Sequence, residues 1–509
     1  MILLYLTYMK NYTKLIILVL LLSCYTLVLI RPVKLYETDI GRLIKNGEII
    51  LASFSEQIKS TSNIFNSNYY SYAYPNTEFI NHHWAAGIIF YKIWLLFNFT
   101  GLHLFTIFIN LFSFLIFFYI AYKKSNFVIA TTTAFILMPL LATRPEIRPE
   151  IFSYLFLGVY LFILFGIRDK NIPFRYIYTL PLIMIFWVNL HIFFIFGFFL
   201  LFIFIIDDCL RNSGWKKNIK KYYLVIFLFF LTGVLNPNGF KGLLYPLRIF
   251  ENYGVTVLEN IPPYLVFKQG FLSWVVIALF FLTFIFYLIT FLSIAKSDKR
   301  KFFFEFSLFF TFGFLAWLMT RALILYALFS LPLIAWIISY KQLPINKIKI
   351  GIQHKKIIFI LIILIFLNIS QRILNDLKSL KLGLLPGESD VADYIINNNI
   401  QGNLFNDFNS GGYVIYYLYP HIKPFVDNRP EAYPKNFFEN TYYKIFEEND
   451  EELKWKEISQ KYDINIIMLS KRKLSQKFIE RRINDPNWNL IMMKNTTMLF
   501  IKNNKTMQK

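Results

Sequence analysis

The sequence predicts a polytopic α-helical membrane protein, with about 11 transmembrane helices, that closes in an extracytoplasmic α/β domain. Three observations predict it. Of the 509 residues, 56% are hydrophobic and only 17% are charged, against roughly 45–50% and ~25% in soluble globular chains. The apolar residues gather in runs close to the length that ~30 Å of hydrocarbon requires of a helix. From about Gln371 hydrophobicity drops, charge rises and short alternating runs appear. This composition excludes a soluble globular enzyme, a disordered chain and a fibrous repeat, and no internal repeat of fixed period is present.

In chain order, the apolar runs are 15–30, 102–122, 127–142, 151–167, 176–190, 193–206, 222–235, 271–295, 302–320, 322–340 and 357–369. The first reads as a retained span, since no small-residue cleavage site follows it. A twelfth run, 84–97, is shorter, carries Lys92 and follows the polar stretch Asn81-His82-His83. Cytoplasmic loops keep an excess of Lys and Arg. If 84–97 lies along the outer face without crossing, one side collects Lys10, Lys14, Lys123, Lys124, Arg168, Lys170, Arg175, Arg211 and the lysines at 216–221, 296–301 and 341–356. If it crosses, every later loop changes sides and the pattern fails. The expectation is therefore eleven spans in a bacterial plasma membrane, with the N-terminus cytoplasmic. A membrane domain would occupy 1–370, with an outer loop at 31–101, and an extracytoplasmic domain 371–509.

The formal net charge of +22 would suggest nucleic acid in a soluble protein. Here the excess falls in short loops on one side, so no nucleic-acid partner is expected. The two cysteines, Cys24 and Cys209, lie in or beside apolar runs and give neither a disulfide framework nor a metal-binding pair.

The tail reads as helix 389–398, strand 402–407, a helix or strand at 412–418, strand 423–427, helices 436–446 and 451–462, strand 465–469, helix 474–483, and a hairpin of 488–494 with 497–502. Strands alternating with helices predict a small α/β sandwich. The tail has no glycine-rich phosphate loop, so nucleotide binding is not expected there.

The topology sends most of the conspicuous polar residues at span ends to the outer face. These are Glu37-Thr38-Asp39, Asn81-His82-His83-Trp84, Arg144-Pro145-Glu146-Ile147-Arg148-Pro149-Glu150, Asn189-Leu190-His191, the loop 236–269 and Arg321. Ionisable groups at a membrane boundary are costly and usually pair or serve a site. Several ordered pieces then carry a resemblance: Thr38-Asp39-Ile40-Gly41 with Asn46-Gly47, Asn81-His82-His83-Trp84, Arg148-Pro149-Glu150, Trp187-Val188-Asn189-Leu190-His191, Asn236-Pro237-Asn238-Gly239, Gly411-Gly412-Tyr413 and Val426-Asp427-Asn428-Arg429. Together with the long first outer loop and the closing extracytoplasmic domain, they resemble the GT-C superfamily of membrane glycosyltransferases, and most closely a bacterial group of GT-C-like proteins.

The resemblance implies transfer of a sugar from a polyprenyl-phosphate carrier to a glycan, lipid or protein acceptor at the outer leaflet. Such a transfer needs a base for the acceptor, cations for the departing phosphate, and contact with membrane lipid. Asp39 is the candidate base, with Glu37 a weaker alternative; the plain reading of Asp39 is a solvated loop aspartate. His83 stands where that group more often has glutamate; His82 and His83 could polarise the acceptor, bind a divalent cation or anchor the 84–97 helix. Glu150 is the third catalytic candidate. Arg148, Arg321, His191 and Arg144 are candidates for substrate binding, because a guanidinium fork matches phosphate oxygens. Their plain readings are internal ion pairing in the Arg144–Glu150 run and an interhelical hydrogen bond for Asn189 and His191. Lys241 and Arg248 could gate the donor, and Asp427-Asn428-Arg429 could contact sugar or lock its own loop. No cofactor is required, though a divalent cation is open. The rival functions are a lipid-linked glycan transporter, an O-antigen-ligase-like transferase and an inactive GT-C-like scaffold.

Overall fold

A backbone amide in hydrocarbon has no water to bond, so an apolar run must satisfy its own hydrogen bonds as a helix. The computed structural model describes residues 11–54, 62–75, 77–212, 219–251, 253–266, 271–295, 302–340, 380–447, 451–470, 476–494 and 497–503. Ten of the predicted apolar runs coincide with helices. They are α1 (Asn11–Leu29), the second part of α3 (Trp84–Lys124), α4 (Phe127–Leu141), α5 (Glu150–Arg168), α6 (Thr179–Leu190), α7 (Ile195–Arg211), α8 (Tyr223–Gly233), α9 (Phe271–Ala295), α10 (Phe303–Leu318) and α11 (Leu323–Tyr340). The run 357–369 lies outside the described residues. Among the described residues, six helical segments are long and apolar enough to cross a membrane, while Phe127–Leu141, Phe174–Leu190, Tyr223–Gly233 and Phe303–Leu318 are shorter. The core between them is strongly aromatic, with Tyr287 stacked on Phe309 and Phe312 on Phe329 at centroid distances of 3.7 and 3.8 Å.

The 84–97 run is a helix that a kink sets off from the span after it. It continues into the next span as the first arm of the 41-residue α3, interrupted at Asn98, whose φ of 53° and ψ of −161° are not helical. Asparagine tolerates positive φ better than most residues, and the break lets the arm leave the direction of the span. The arm exposes Leu95, Leu96 and Phe97, as a helix lying at a lipid boundary does. Its opposite face meets α2 (Ile40–Phe54). There Gly47 and Gly87 approach so closely that a Cβ on Gly47 would stand 2.2 Å from the Gly87 carbonyl oxygen.

The other end of α2 is held by the tail. A Cβ on Gly41 would stand 2.7 Å from the carbonyl oxygen of Gly412. Segment 62–75 is stitched to the tail as well: Ser71 Oγ donates to the Phe425 carbonyl at 2.8 Å, Asn68 Nδ2 to that of Ala432 at 3.1 Å, and Tyr72 OH to that of Leu404 at 3.1 Å. Asp39, at the head of α2, is thereby fixed between membrane helices and tail.

The tail contains helices α12 (Asp390–Asn397), α13 (Gly411–Tyr417), α14 (Glu451–Lys461) and α15 (Gln476–Ile483) around four strands, β1 (Asn403–Asn406), β2 (Ile464–Ser470), β3 (Trp488–Lys494) and β4 (Thr497–Lys502). The sheet order is β1-β2-β4-β3; β1 and β2 are parallel and the other pairs antiparallel. Two expectations are corrected. Segment 423–427 is not a strand: Pro424 has no N–H to give, and beside one isolated bridge to Leu404 the Asn406 side chain takes the place of a ladder. Its Oδ1 accepts from Phe425 N at 2.8 Å and its Nδ2 donates to Val426 O at 2.8 Å. Segment 436–446 is a π-turn, Phe438–Tyr442, running into a 3₁₀ turn, Tyr443–Phe446, instead of an α-helix.

α5 measures about 28 Å at 1.5 Å per residue, close to the hydrocarbon thickness. Its two ends carry separate polar clusters. At the Arg168 end, Arg168 pairs with Asp207 at 3.1 Å and with Glu305, and Arg211 also reaches Asp207, at 3.4 Å. At the Glu150 end lies the site described next. If the α2–α3 crossing is as tight as its glycines imply, Gly47→Val overpacks it and costs ~1–3 kcal/mol. A lower melting temperature of the detergent-solubilised protein is expected; an unchanged one would show that the two helices do not touch.

Candidate active site

The heads of α2 and α5, together with loops of the helical part and of the tail, enclose a cavity of 280 Å³. The site begins with Glu150, the first residue of α5, where a carboxylate suits the positive end of the helix dipole. Arg144 grips it with both arms of the guanidinium, Nη2 to Oε1 at 2.7 Å and Nε to Oε2 at 3.2 Å. Tyr154, one turn along α5, donates to the same carboxylate at 3.0 Å. Arg144 also reaches Glu259 at 3.1 Å. Glu259 in turn binds Arg148 at 2.6 Å, and Arg148 reaches Asp39 at 3.5 Å. Asp39 closes the chain with Arg42, three residues along α2, at 3.5 Å, and accepts a hydrogen bond from Asn428 of the tail. Charges thus alternate from Glu150 through Arg144, Glu259, Arg148 and Asp39 to Arg42. Burial alone would raise the Glu259 carboxyl, but the two guanidiniums hold it below its ordinary range.

Glu259 is carried by a single 3₁₀ turn, Leu258–Asn260. The next residue, Ile261, is bound through its carbonyl by Thr320 N at 3.0 Å and Thr320 Oγ1 at 2.9 Å. This tie brings Arg321 to the cavity wall. Arg321 makes no salt bridge among the described residues; its Nε is buried without a partner, as are Arg148 Nε and His83 Nε2.

Three imidazoles line the same cavity. The His82 and His83 ring centroids are 3.9 Å apart, and His83 stacks on His191 at 5.2 Å with a 13° interplanar angle. Trp187 Nε1 donates to Ser153 Oγ at 2.8 Å, and the Ser153 hydroxyl donates to His191 Nδ1 at 2.8 Å. Phe193 N also donates to that Nδ1 at 3.4 Å. With Nδ1 accepting, the proton of neutral His191 sits on Nε2. Burial pushes the His82 pKa down to about 4 and that of His83 further, so both are neutral at pH 7. The tail supplies the last wall. Asp427 and Arg429 form a buried bidentate pair at 2.7 and 2.6 Å, with Arg429 bonding Asn68 at 2.9 Å; they lock their own loop and thereby aim Asn428 at Asp39. Burial raises the carboxyl of Glu431, which also lines the cavity.

Of the residues chosen from sequence, Asp39, His83, Glu150, Arg148, Arg321 and His191 line this one cavity. Arg144 stands behind the wall as the link between Glu150 and Glu259. Arg248 lines the rim, whereas Lys241 pairs with Glu78 at 2.8 Å. Asn189 bonds Trp84 Nε1 and the Leu235 carbonyl, both at 2.8 Å, and so pins three elements together. Glu259, Arg42 and Glu431 were not selected from sequence. Arg42 sits three residues after Asp39, a spacing that puts both on one face of α2; Glu259 has no such signal. Among the described residues, no three Asp, Glu, His or Cys side chains are placed to share a metal ion.

The fold is similar to that of solved archaeal oligosaccharyltransferases. A structure of the enzyme AglB from Archaeoglobus fulgidus in complex with an inhibitory peptide and a dolichol-phosphate superposes with a TM-score of 0.60 at 13% identity, covering 91% of this chain and 70% of that one. The same enzyme tethered to an acceptor peptide with an NVT sequon gives 0.59 at 13% identity over the same shares. Its complex with zinc and sulfate gives 0.57 at 14% identity, covering 89% of this chain and 68% of that one. No family model and no curated protein sequence matches the chain.

The depressed His82 pKa makes the fold acid-sensitive. An unfolded histidine titrates near 6.5 and His82 in the folded chain near 4. Between those values the unfolded state takes up a proton that the folded state refuses. This contribution is therefore complete above pH 6.5 and is lost as pH falls toward 4. The melting temperature is expected to fall across that window, and to fall less in His82→Gln. An equal fall in both proteins would show that His82 is not held neutral.

Proposed function

We propose that this chain is a membrane glycosyltransferase that moves a sugar from a polyprenyl-phosphate carrier to an acceptor at the outer face of the membrane. One observation carries the reading. Arg148 and Arg321 line the cavity that holds Asp39, and each keeps a buried Nε–H without an acceptor. A buried donor left unpaired costs ~1–3 kcal/mol, more when charged, which supports an anionic ligand beside these two guanidiniums. Two further features support a lipid-borne one. The short helix Gly239–Leu244 and the turn after it expose Phe240, Leu244 and Leu247 beside Arg248 on the cavity rim, which suits an acyl chain ending in phosphate. The archaeal enzyme of the same fold was solved with dolichol-phosphate.

In the proposed step the acceptor's nucleophile forms a bond to the anomeric carbon while the bond from that carbon to the phosphate oxygen breaks. The electron pair leaves on the phosphate, where Arg321 and Arg148 stabilise it. The acceptor's proton passes to Asp39, which Arg42, Arg148 and Asn428 hold in place. His191, proton on Nε2, and His83 supply uncharged hydrogen-bonding groups for sugar or acceptor hydroxyls. The basic short loops support a cytoplasmic N-terminus and an extracytoplasmic tail, with eleven spans in a membrane domain of 1–370. The tail, 371–509, contributes Asn428 and Glu431 and is proposed to receive the acceptor. A transport path through the bundle has less support: between their ends the described apolar helices carry few charged groups.

Mass spectrometry of lipid co-purified with the protein tests the donor, and in vitro transfer tests the base. Arg321→Ala is expected to lose bound polyprenyl-phosphate lipid roughly 10- to 100-fold, the worth of a charged hydrogen bond. Asp39→Asn is expected to keep the lipid and lose turnover by about 100-fold or more. Equal lipid in Arg321→Ala, or normal transfer by Asp39→Asn, removes the corresponding assignment.

A further inference from the structure

Two carboxylates from distant parts of the chain, Asp39 at the head of α2 and Glu259 in the 258–260 turn, meet in the cavity. Such a meeting needs a cation between them. Here it is Arg148, with Nη2 at 2.6 Å from Glu259 and Nη1 at 3.5 Å from Asp39. The remaining oxygens are also taken: Arg144 holds the second oxygen of Glu259 and both of Glu150, while Arg42 and Asn428 hold the second oxygen of Asp39. His191 is no ligand in this tautomer, since its Nδ1 accepts from Ser153 and Phe193 N and its Nε2 carries the proton. A divalent ion on Asp39 would displace Asn428 and stand against the guanidiniums of Arg42 and Arg148. These residues do not fit the zinc that the archaeal enzyme of this fold can carry.

We infer that the Arg148 guanidinium does permanently at this site what a bound divalent cation would do: it joins Asp39 to Glu259 and presents positive charge to the ligand phosphate. The inference deepens the transferase reading and rests on it for the phosphate; cation binding itself is independent of that reading. It gives Arg148 a dual position. Two of its nitrogens are spent on carboxylates, and the third, Nε, is left without a partner for the anion. Transfer then has no need of an added metal. The site also lies one substitution from a metal site, because Arg148→Asp removes the blocking charge and adds a third carboxylate between Asp39 and Glu259.

The test is a Mn²⁺ titration of the full chain in detergent, followed by the paramagnetic resonance signal of free Mn²⁺. The wild type is expected to leave the signal undiminished. Uptake of one equivalent per chain, abolished by Asp39→Asn, overturns the inference. Arg148→Asp is expected to take up one equivalent and to melt at a higher temperature with Mn²⁺ than without it; a folded Arg148→Asp chain that takes up none also overturns it. If that variant does not fold, the wild-type titration decides alone. In the transfer assay, millimolar EDTA is expected to change wild-type turnover less than twofold, and loss of turnover restored by Mn²⁺ counts against the inference. If the chain transfers no sugar at all, the transferase reading fails while the Mn²⁺ titrations still decide this one.

Discussion

The alternating chain Glu150–Arg144–Glu259–Arg148–Asp39–Arg42 is the interaction on which the site depends. It joins the start of α5, the 143–149 loop, the 258–260 turn and the head of α2, four pieces with no shared secondary structure. Each charge sits in a partly or wholly buried place where it would be costly alone, and each has an opposite charge beside it. Removing one partner of such a pair typically costs ~3–5 kcal/mol because the other is stranded. The chain is therefore a poor place to look for stability gained over an apolar core. It is a good place to look for position, because moving any one of these loops would strand a charge on another.

The same logic explains the imbalance between the two ends of α5. At the Arg168 end, Arg168 bridges Asp207 and Glu305, and Arg211 adds a second cation to Asp207, while one buried Glu305 oxygen stays unbonded. At the Glu150 end, Arg321 has no carboxylate within salt-bridge distance among the described residues, and nitrogen atoms of Arg148 and His83 stay unbonded. What separates the two ends is the cavity of 280 Å³ that the second lines, with a cation on its wall that no carboxylate neutralises.

How much of this was legible in the sequence follows from what each feature depends on. The helices were readable because hydrocarbon forces every long apolar run to close its own hydrogen bonds. The convergence of Asp39, His83, Arg148, Glu150, His191 and Arg321 was readable because the placement of basic loops fixes which span ends share a face. Glu259 was invisible, since its partners lie more than a hundred residues away and its own turn has no periodicity. The opposite error at 423–427 had a local cause: an alternating pattern promised a strand, but Pro424 and the amide of Asn406 replaced the ladder. The tight crossings at Gly47–Gly87 and Gly41–Gly412 were similarly hidden, because a glycine in sequence does not say which backbone it will admit.

The histidines complete the electrostatic argument. His82, His83 and His191 lie in the same cavity as Arg42, Arg148 and Arg321. A protonated imidazole there would add a like charge where burial already disfavours any charge, so His82 and His83 are held neutral. The cavity's charge near neutral pH is then set by guanidiniums and carboxylates alone, leaving the imidazoles to act through direction. The Trp187–Ser153–His191 relay supplies that direction for one ring by fixing its tautomer, and stacking aligns the next. A ligand entering this space would meet both the charge of Arg148 and Arg321 and uncharged, oriented hydrogen-bonding groups. A sugar phosphate offers the matching pair, an anionic phosphate and neutral hydroxyls.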